Sequence, residues 1–235
     1  MFCDNSCLIA IGMEAEMTFK GENGLIKNLE RDGFATDFFS ADQAQLETHL
    51  TTLASSLGKV TRGRRREVEL LEPVERQHAH PRSLSASFGK GDFPWHMDTA
   101  HFTEPVRFVV LACADCSDGA APTLLTPWRR EISSLFIDDD ATSALFRVRN
   151  GRSSFYTGLI GSRERYLRYD PGCMTAANEA GQRVLARLSE WSPATQYMFE
   201  WQPGAVLVID NWNMLHRRAS VEATTTRQLL RCYAS

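Results

Sequence analysis

Apolar residues recur at helical spacing in the first third of the chain. Residues 41–57 place four leucines on one predicted helix face: Leu46, Leu50, Leu53 and Leu57. Ser40 is expected to cap this helix, Gln43 to complete a capping box, and Gly58 to end the helix.

A second helix is predicted over residues 175–191, where apolar residues again recur every three or four positions. Thr175 is its expected N-cap. Its inward-facing residues are predicted to be Val184, Leu188 and Trp191.

Most of the remaining chain consists of short segments rich in β-branched and aromatic residues. We predict strands over 66–71, 83–88, 106–113, 153–160, 164–169, 196–201, 205–210 and 227–234. Turn dipeptides separate several of them: Asp118-Gly119, Asn150-Gly151 and Pro203-Gly204. Strands and helices do not alternate, so a Rossmann-type fold is excluded. The pattern favours a mainly β fold, a sandwich or jelly roll, with helices at the periphery.

Length and composition suit one globular domain. Of 235 residues, 43% are apolar and 23% are charged, and we assign 1–235 to a single domain in which 1–20 is loosely ordered at its start. The net charge of −3 is not typical of proteins that bind nucleic acid or membrane surfaces. Asp4 stands where a signal peptide would carry positive charge, so we expect a cytoplasmic protein.

Six cysteines, at positions 3, 7, 113, 116, 173 and 232, are expected to be free thiols in that compartment. Cys113 and Cys116 form a CxxC pair, but no second pair or flanking histidine completes a zinc site. The apolar run "VRFVVLAC" indicates that Cys113 ends a buried strand, and we prefer this interpretation to a redox or zinc role.

The segment "FPWHMDTAHF", residues 93–102, holds His96 and Asp98 two positions apart. In extended chain, residues i and i+2 project from the same face, so an imidazole and a carboxylate can reach one point. His101 is at odd spacing from both and is expected to face elsewhere. A His-x-acid pair is common by chance, so its meaning depends on a third ligand.

His216 is the candidate third ligand, shortly after the predicted strand 205–210. Two histidines and a carboxylate occupy one face of an octahedral metal and leave three positions open, which is typical of non-haem Fe(II) oxygenases. Their chelating co-substrate is usually 2-oxoglutarate, a dianion whose far carboxylate needs a buried cation. Arg227, on the last predicted strand, is placed to supply that cation.

Four segments together resemble the taurine dioxygenase-like (TauD/TfdA, clavaminate synthase-like) superfamily of Fe(II)/2-oxoglutarate-dependent oxygenases. They are "WHMD" for the His-x-Asp arm, "GAAPTLL" for a threonine that touches 2-oxoglutarate, "IDNWNMLHRR" for the distal histidine, and "TRQLLR" for the closing strand. The resemblance covers about 83–128 and 200–233. It implies a double-stranded β-helix, which is a distorted jelly roll, with its core at about 83–235.

The resemblance implies that His96, Asp98 and His216 are the catalytic residues and bind Fe(II). It implies that Thr123 and Arg227 hold 2-oxoglutarate. With O₂ as oxidant, the expected reaction oxidises a substrate C–H bond, by default through hydroxylation, and releases succinate and CO₂. Desaturation, ring closure and cleavage remain open as outcomes.

Arg231 is expected to bind the substrate. It lies four residues beyond Arg227, so both guanidinium groups face one side, and no acidic residue on that strand neutralises it. The resemblance implies an acidic group on the substrate, so we predict a small molecule with a carboxylate, sulfonate or phosphonate, an amino acid being the leading type. Further pocket candidates are Ser83, Ser85, Ser87, Phe93 and Trp95, although the serines also fit ordinary strand polarity.

Two alternatives belong to other classes of protein. A jelly-roll protein can bind a ligand without turnover, but it would usually have lost a triad residue or the arginine. A cupin-like metalloenzyme can act without 2-oxoglutarate, and Arg227 and Thr123 argue against it. Succinate formation separates both from the oxygenase.

Overall fold

The computed structural model describes residues 7–11, 22–39, 42–63, 66–132, 138–161 and 165–235. The strands are β1 Cys7–Ile11, β2 Phe34–Phe38, β3 Val60–Thr61, β4 Val68–Leu71, β5 Phe108–Cys116, β6 Thr123–Pro127, β7 Phe146–Asn150, β8 Ser153–Thr157, β9 Met174–Ala176, β10 Thr195–Phe199, β11 Ala205–Asp210, β12 Met214–Arg218 and β13 Arg227–Ala234. The helices are α1 Glu22–Asp32, α2 Gln43–Leu57, α3 Leu84–Phe88, α4 Trp128–Ile132, α5 Asp139–Ser143 and α6 Glu179–Glu190, with a 3₁₀ turn at Arg76–His78.

Two sheets pack face to face and enclose the inner core. One has the strand order β1-β10-β6-β12, with β1 parallel to β10, and the other has the order β2-β11-β5-β13-β3, with β4 also paired to β13. Inward residues of both sheets form one apolar cluster that includes Leu111, Leu125, Phe199 and Leu229. The predicted fold class, a mainly β double-stranded β-helix with peripheral helices, is confirmed.

The six-stranded sheet is apolar on both faces because it is covered on both sides. Every residue of β11 is buried. Leu207 and Ile209 point into the inner core, whereas Val206 and Val208 pack under the helices α1 and α2. A strand buried on both faces therefore has the continuous apolar sequence seen here, without polar alternation.

Helix α2 confirms the first predicted helix, with a correction at its start. The N-cap is Asp42, whose carboxylate accepts a hydrogen bond of 2.8 Å from the Gln45 N–H. The predicted cap, Ser40, lies outside the described residues. Leu46 and Leu50 are buried against the six-stranded sheet, and the helix ends at Gly58 as predicted.

A third layer covers the outer face of the four-stranded sheet. It consists of the sheet β8-β7-β9 with α5 and α6, and its core includes Phe146, Val148, Val184 and Leu188. Helix α6 begins later than predicted. Its N-cap is Asn178, which accepts a hydrogen bond from the Gly181 N–H, whereas Thr175 belongs to β9.

Two predicted strands are wrong. Residues 83–88 form the helix α3 with its N-cap Ser83, although "SLSASF" alternates polar and apolar residues. The segment pairs with no strand among the described residues, and its turn closes through a Gly89 N–H to Ser85 C=O bond. Within 164–169 the described residues make only an isolated bridge, between Leu167 and Ile160. Of the N-terminal segment expected to begin loosely, Cys7–Ile11 forms β1, and the remainder up to residue 20 lies outside the described residues.

Strand β5 contains a bulge next to β13. Gln228 pairs with Asp115 and Leu229 pairs with Cys113, so Ala114 between them has no partner. The extra residue turns both Cys113 and Cys116 towards the inner core and leaves Asp115 exposed. Both thiols are free, and Arg227 lies directly opposite Cys116.

Among the helices that the structure describes, none has both the length and the apolar content needed to cross a bilayer. The predicted turns at Gly151 and Gly204 are confirmed, since both glycines have positive φ angles, of 63° and 88°. A side chain at either position would be strained in this conformation.

Packing of α2 on the sheet predicts the stability of one variant. Leu50 is fully buried, so Leu50→Ala should lower the free energy of unfolding by about 2–5 kcal/mol through lost burial and a residual cavity. Thr52→Ala, on the exposed side of the same helix, is the control and should change it by less than about 0.5 kcal/mol. Urea denaturation measures both, and equal losses would contradict this packing.

Candidate metal centre

His216 reaches the inner core from the four-stranded sheet. On β12 it pairs directly with Leu125 of β6, and cross-strand partners point to the same face. Leu125 belongs to the inner core, so the His216 side chain is directed between the two sheets. Its neighbour Leu215 packs on the outer face, in the core of the third layer.

His96 and Asp98 reach the same space from an extended segment outside the named strands. The His96 N–H donates to the His216 carbonyl at 3.0 Å, and the His216 N–H donates to the His96 carbonyl at 2.9 Å. Met97, between the two, is fully buried in the core of the third layer, which we call the outer core. The i, i+2 geometry expected of a strand therefore arises here from a single antiparallel bridge.

The three side chains converge with one ligand atom each. Their ligand atoms all lie within 4.8 Å of one another. Asp98 Oδ1 is 3.9 Å from His96 Nε2 and 3.9 Å from His216 Nε2. Two ligand atoms that share an ion at about 2.1 Å each can be separated by up to about 4.2 Å, so one ion can span each of these gaps.

The protonation states suit a divalent cation. His96 Nδ1 lies 3.0 Å from the Pro94 carbonyl, which can only accept, so Nδ1 donates in this contact and Nε2 is the ring nitrogen that can bind a metal. Burial, followed by the charge of His96, lowers the pKa of His216 to about 3. His216 is therefore neutral at physiological pH, as a metal ligand must be.

Asp98 is ionised although it is buried. Burial acts to raise its pKa, but the charge of Arg231, the two histidines and a hydrogen bond from Tyr233 outweigh it and lower the pKa to about 2. Its Oδ2 accepts hydrogen bonds from Arg231 Nη1 at 3.2 Å and from the Tyr233 hydroxyl at 3.0 Å. These two bonds hold Oδ2 away from the histidines and leave Oδ1 facing them.

Asn211 fixes the backbone of Asp98. Its side-chain oxygen accepts the Asp98 N–H at 2.9 Å, and its amide donates to the carbonyls of Asp98 at 3.0 Å and Val106 at 2.8 Å. Sequence reasoning missed the roles of Asn211 and Tyr233. Tyr233 was detectable, since it lies two residues beyond Arg231 and so faces the same side.

A second polar group lies in the inner core around Thr123. The Thr123 hydroxyl oxygen accepts hydrogen bonds from Arg227 Nη2 at 2.9 Å and from Trp201 Nε1 at 3.0 Å. Because both bonds use the oxygen as acceptor, the hydroxyl hydrogen remains available to another group. Burial, followed by the charge of Arg218, lowers the pKa of Arg227 to about 9. No carboxylate in the described ranges forms an ion pair with Arg227, so this group of donors suits an anion.

Arg231 is not an unpaired cation. Its Nη2 donates to Glu69 Oε2 at 2.9 Å, and Glu69 is its direct cross-strand partner on β4. The premise that Arg231 lacks a neutralising acid is therefore wrong, because the acid comes from the neighbouring strand. The buried Nε–H of Arg231 has no partner among the described residues.

The remaining pocket candidates are dispersed. The Phe93 ring lies 6.2 Å from that of His96, and the Arg218 guanidinium stacks on Phe93 at 4.0 Å. Trp95 is buried in the outer core, away from the histidines, and packs on Trp191. Ser83, Ser85 and Ser87 belong to the α3 region instead of a strand, and Ser87 is exposed.

The fold and the site together define a double-stranded β-helix with a His-Asp-His group between its sheets. The family described as taurine catabolism dioxygenase TauD, TfdA family matches residues 133–233. This match confirms the family resemblance and includes His216 and Arg227, whereas the segments that carry His96, Asp98 and Thr123 lie outside it. No curated protein sequence matches the chain significantly.

Solved structures of Fe(II)-dependent oxygenases share the fold. Asparagine oxygenase in complex with Fe(II), 2S,3S-3-hydroxyasparagine and succinate is 18% identical, with a TM-score of 0.73 over 90% of this chain and 78% of that one. OrfP in complex with Fe and alpha-ketoglutaric acid is 16% identical, with a TM-score of 0.67 over 98% and 94%. PvcB from Pseudomonas aeruginosa is 20% identical, with a TM-score of 0.65 over 97% and 84%. At these identities the likeness establishes the fold.

The contacts of Asn211 predict a stability effect. Asn211→Ala should lower the free energy of unfolding by about 2 kcal/mol or more, since each buried polar group left without a partner costs about 1–3 kcal/mol. Asn213→Ala is the control, because the Asn213 side chain contacts side chains and, among the described residues, no backbone group. Its amide donates to Asp210 Oδ2 at 2.9 Å, which also accepts from Arg107 Nη2 at 3.2 Å, and its oxygen accepts from Arg129 Nε at 3.0 Å. Thermal unfolding compares the two, and an equal or smaller loss in Asn211→Ala would show that Asp98 is held by other contacts.

Proposed function

We propose that this protein is an Fe(II)/2-oxoglutarate-dependent dioxygenase that oxidises, most directly by hydroxylation, a C–H bond of a small amino-acid-like molecule. The other products are succinate and CO₂. The observation that carries the proposal is the position of two separate features between the same two sheets. One is the convergent His-Asp-His group. The other is a buried arginine beside a threonine hydroxyl, with no carboxylate partner among the residues that the structure describes.

His96, Asp98 and His216 are the proposed iron ligands. The convergence of their ligand atoms, the fixed tautomer of His96 and the low pKa of His216 support this assignment. Bound Fe(II) with 2-oxoglutarate would supply the activation of O₂. Arg231 and Tyr233 would keep the Asp98 carboxylate orientated, so that the ligand set is preorganised before the metal binds.

Arg227 and Thr123 are the proposed anchor of the far carboxylate of 2-oxoglutarate. A planar guanidinium matches a carboxylate, and the free hydroxyl hydrogen of Thr123 supplies a further donor. The lowered pKa of Arg227 supports the proposal, since a buried cation with no acidic partner gains most from a bound anion.

The substrate is a small molecule, and we propose that it carries a carboxylate, sulfonate or phosphonate, with an amino acid as the leading type. The unpartnered Nε–H of Arg231 is the donor that would meet this acidic group. Because Glu69 already balances Arg231, the acidic group would add a hydrogen bond and would not have to neutralise a free cation. Asparagine oxygenase and OrfP, whose structures contain hydroxyasparagine and hydroxyarginine, are consistent with this class.

The metal assignment predicts a spectroscopic loss. His216→Ala should fail to develop the visible charge-transfer band of the Fe(II)–2-oxoglutarate chelate under anaerobic conditions, because one of three ligands is missing. His101→Ala is the control, as His101 packs on Phe102 outside the triad and should leave the band intact. A normal band in His216→Ala would remove His216 from the ligand set.

The anchor assignment predicts a selective loss of 2-oxoglutarate affinity. Losing a buried charge-assisted pair costs about 2–5 kcal/mol, so Arg227→Ala should raise the 2-oxoglutarate requirement for succinate formation at least tenfold. Iron binding should persist. The matched control is Arg217→Ala. Arg217 lies on the face of β12 that points away from His216, and its guanidinium is 3.8 Å from the Asp92 carboxylate. An unchanged requirement in Arg227→Ala would transfer the anchor to another residue.

A further inference from the structure

A closed loop, residues 99–106, follows Asp98 directly. Two sets of contacts join its ends. The Thr99 hydroxyl oxygen accepts the Val106 N–H at 2.9 Å, and the Asn211 amide donates to the carbonyls of Asp98 at 3.0 Å and Val106 at 2.8 Å. The proposed metal ligand Asp98 therefore lies at the point where the loop closes, so the conformation of the loop bears on the position of its carboxylate.

Thr99 has an unusual backbone conformation at the start of this loop. Its φ angle is 57°, and in the part of the chain that the structure describes it is the one residue other than glycine with a positive φ. This left-handed region is unfavourable for L-residues, and most of all for β-branched ones. A turn closes beside it, with the Phe102 N–H donating to the Thr99 carbonyl at 2.8 Å. Such a conformation persists only where surrounding contacts hold it.

Arg168 supplies those contacts from inside the loop. Its Nη1 donates to the carbonyls of Ala100 and Phe102, the latter at 2.7 Å, and its Nη2 donates to the Thr103 carbonyl at 2.8 Å. Nη2 also donates to the Tyr166 hydroxyl at 3.1 Å. The arginine is only 2% exposed, and no carboxylate within the described ranges forms an ion pair with it. Its guanidinium is therefore committed to the loop carbonyls.

The segment that carries Arg168 contacts the chain on both sides of Asp98. Before Asp98, the Met97 N–H donates to the carbonyl of Tyr169, the next residue after the arginine, at 2.8 Å. After Asp98, the Ala100 carbonyl accepts from the arginine itself. A carboxylate whose backbone is fixed on both sides keeps a single position, and outer contacts of this kind orient metal ligands.

We propose that Arg168 is a positioning residue for the metal centre. It acts through the loop carbonyls, since its guanidinium holds the turn at Thr99 in the left-handed conformation and so sets the direction of the chain at Asp98. This inference rests on the proposed function and goes beyond it, because it assigns part of the affinity for Fe(II) to a residue outside the three ligands.

The test is Arg168→Gln in the full chain, because a single amide NH₂ group cannot serve three carbonyls. Thr99 should then relax and displace the Asp98 carboxylate. In an anaerobic titration at saturating 2-oxoglutarate, the visible chelate band should need at least about tenfold more Fe(II) to reach half its maximum. With Fe(II) saturating, the requirement for 2-oxoglutarate should be unchanged, since Arg227 and Thr123 are untouched.

Leu50→Ala separates this role from a general loss of stability. Leu50 is fully buried under the six-stranded sheet, in a different core cluster from Met97 of the metal arm. Its variant should be less stable and yet bind Fe(II) as the wild type does. An arginine that serves only stability would behave in the same way. An unchanged Fe(II) requirement in folded Arg168→Gln would therefore overturn the inference.

The metal-free wild-type protein provides a second test that does not depend on the folding of a variant. If Arg168 holds the loop without an ion, the N–H groups of Phe102 and Val106 should exchange slowly with solvent before Fe(II) is added, and no faster than after Fe(II) and 2-oxoglutarate bind. Hydrogen exchange measured on peptides that cover 99–106 gives these rates. Fast exchange that slows only on metal binding would show that the ion orders the loop, and would overturn the inference.

The failure of this inference is distinguishable from failure of the proposed function. Absence of the chelate band in the wild-type protein at every Fe(II) concentration would reject the iron and 2-oxoglutarate assignment itself. A normal wild-type band, with the same Fe(II) requirement in Arg168→Gln, would reject only the role of Arg168.

Discussion

Two backbone hydrogen bonds between His96 and His216, of 3.0 and 2.9 Å, are the contact on which the site depends. They join an extended segment to the end of the four-stranded sheet, across more than half of the chain. Because the bonds are reciprocal, they set the register of the segment as well as its position. One residue of slip would direct Met97 into the site and turn the His96 and Asp98 side chains away from it. Asn211 and Tyr169 secure the same segment from its other sides.

The charged side chains around this contact are of two kinds. Some are paired within the protein, and others have no ionic partner among the described residues. Asp98 is hydrogen-bonded by Arg231 and Tyr233, so the carboxylate of the proposed ligand set is orientated without an ion. Arg227, in contrast, holds a buried charge without an ionic partner among the described residues. Burial of an unpaired charge lowers the stability of the free protein and raises the gain on binding. In the proposed site, the paired charges would hold the metal ligands in place and the charge of Arg227 would bind the anion.

The sequence predicts local features of this site better than its distant contacts. The i, i+2 spacing of His96 and Asp98, the apolar strand before His216 and the arginines of the last strand all follow from periodicity along one segment. The pairing of β4 with β13, which brings Glu69 to Arg231, depends on long-range register and has no local pattern. The error at 83–88 has a related cause. Alternating polarity indicates a strand only where another strand is available, and α3 has none.

The bulge at Ala114 also decides which side chains share the anchor pocket. In a regular strand over the same residues, alternation after Cys113 would turn Asp115 inward and Cys116 outward. Asp115 would then pair with Arg227, and its carboxylate would face the inner core on the same side as the guanidinium. Arg227 now has no acidic partner in the described ranges. The pocket would carry its own counter-ion and compete with any ligand anion. The unpaired Ala114 thus keeps an acidic side chain away from Arg227, the proposed anchor of the ligand anion.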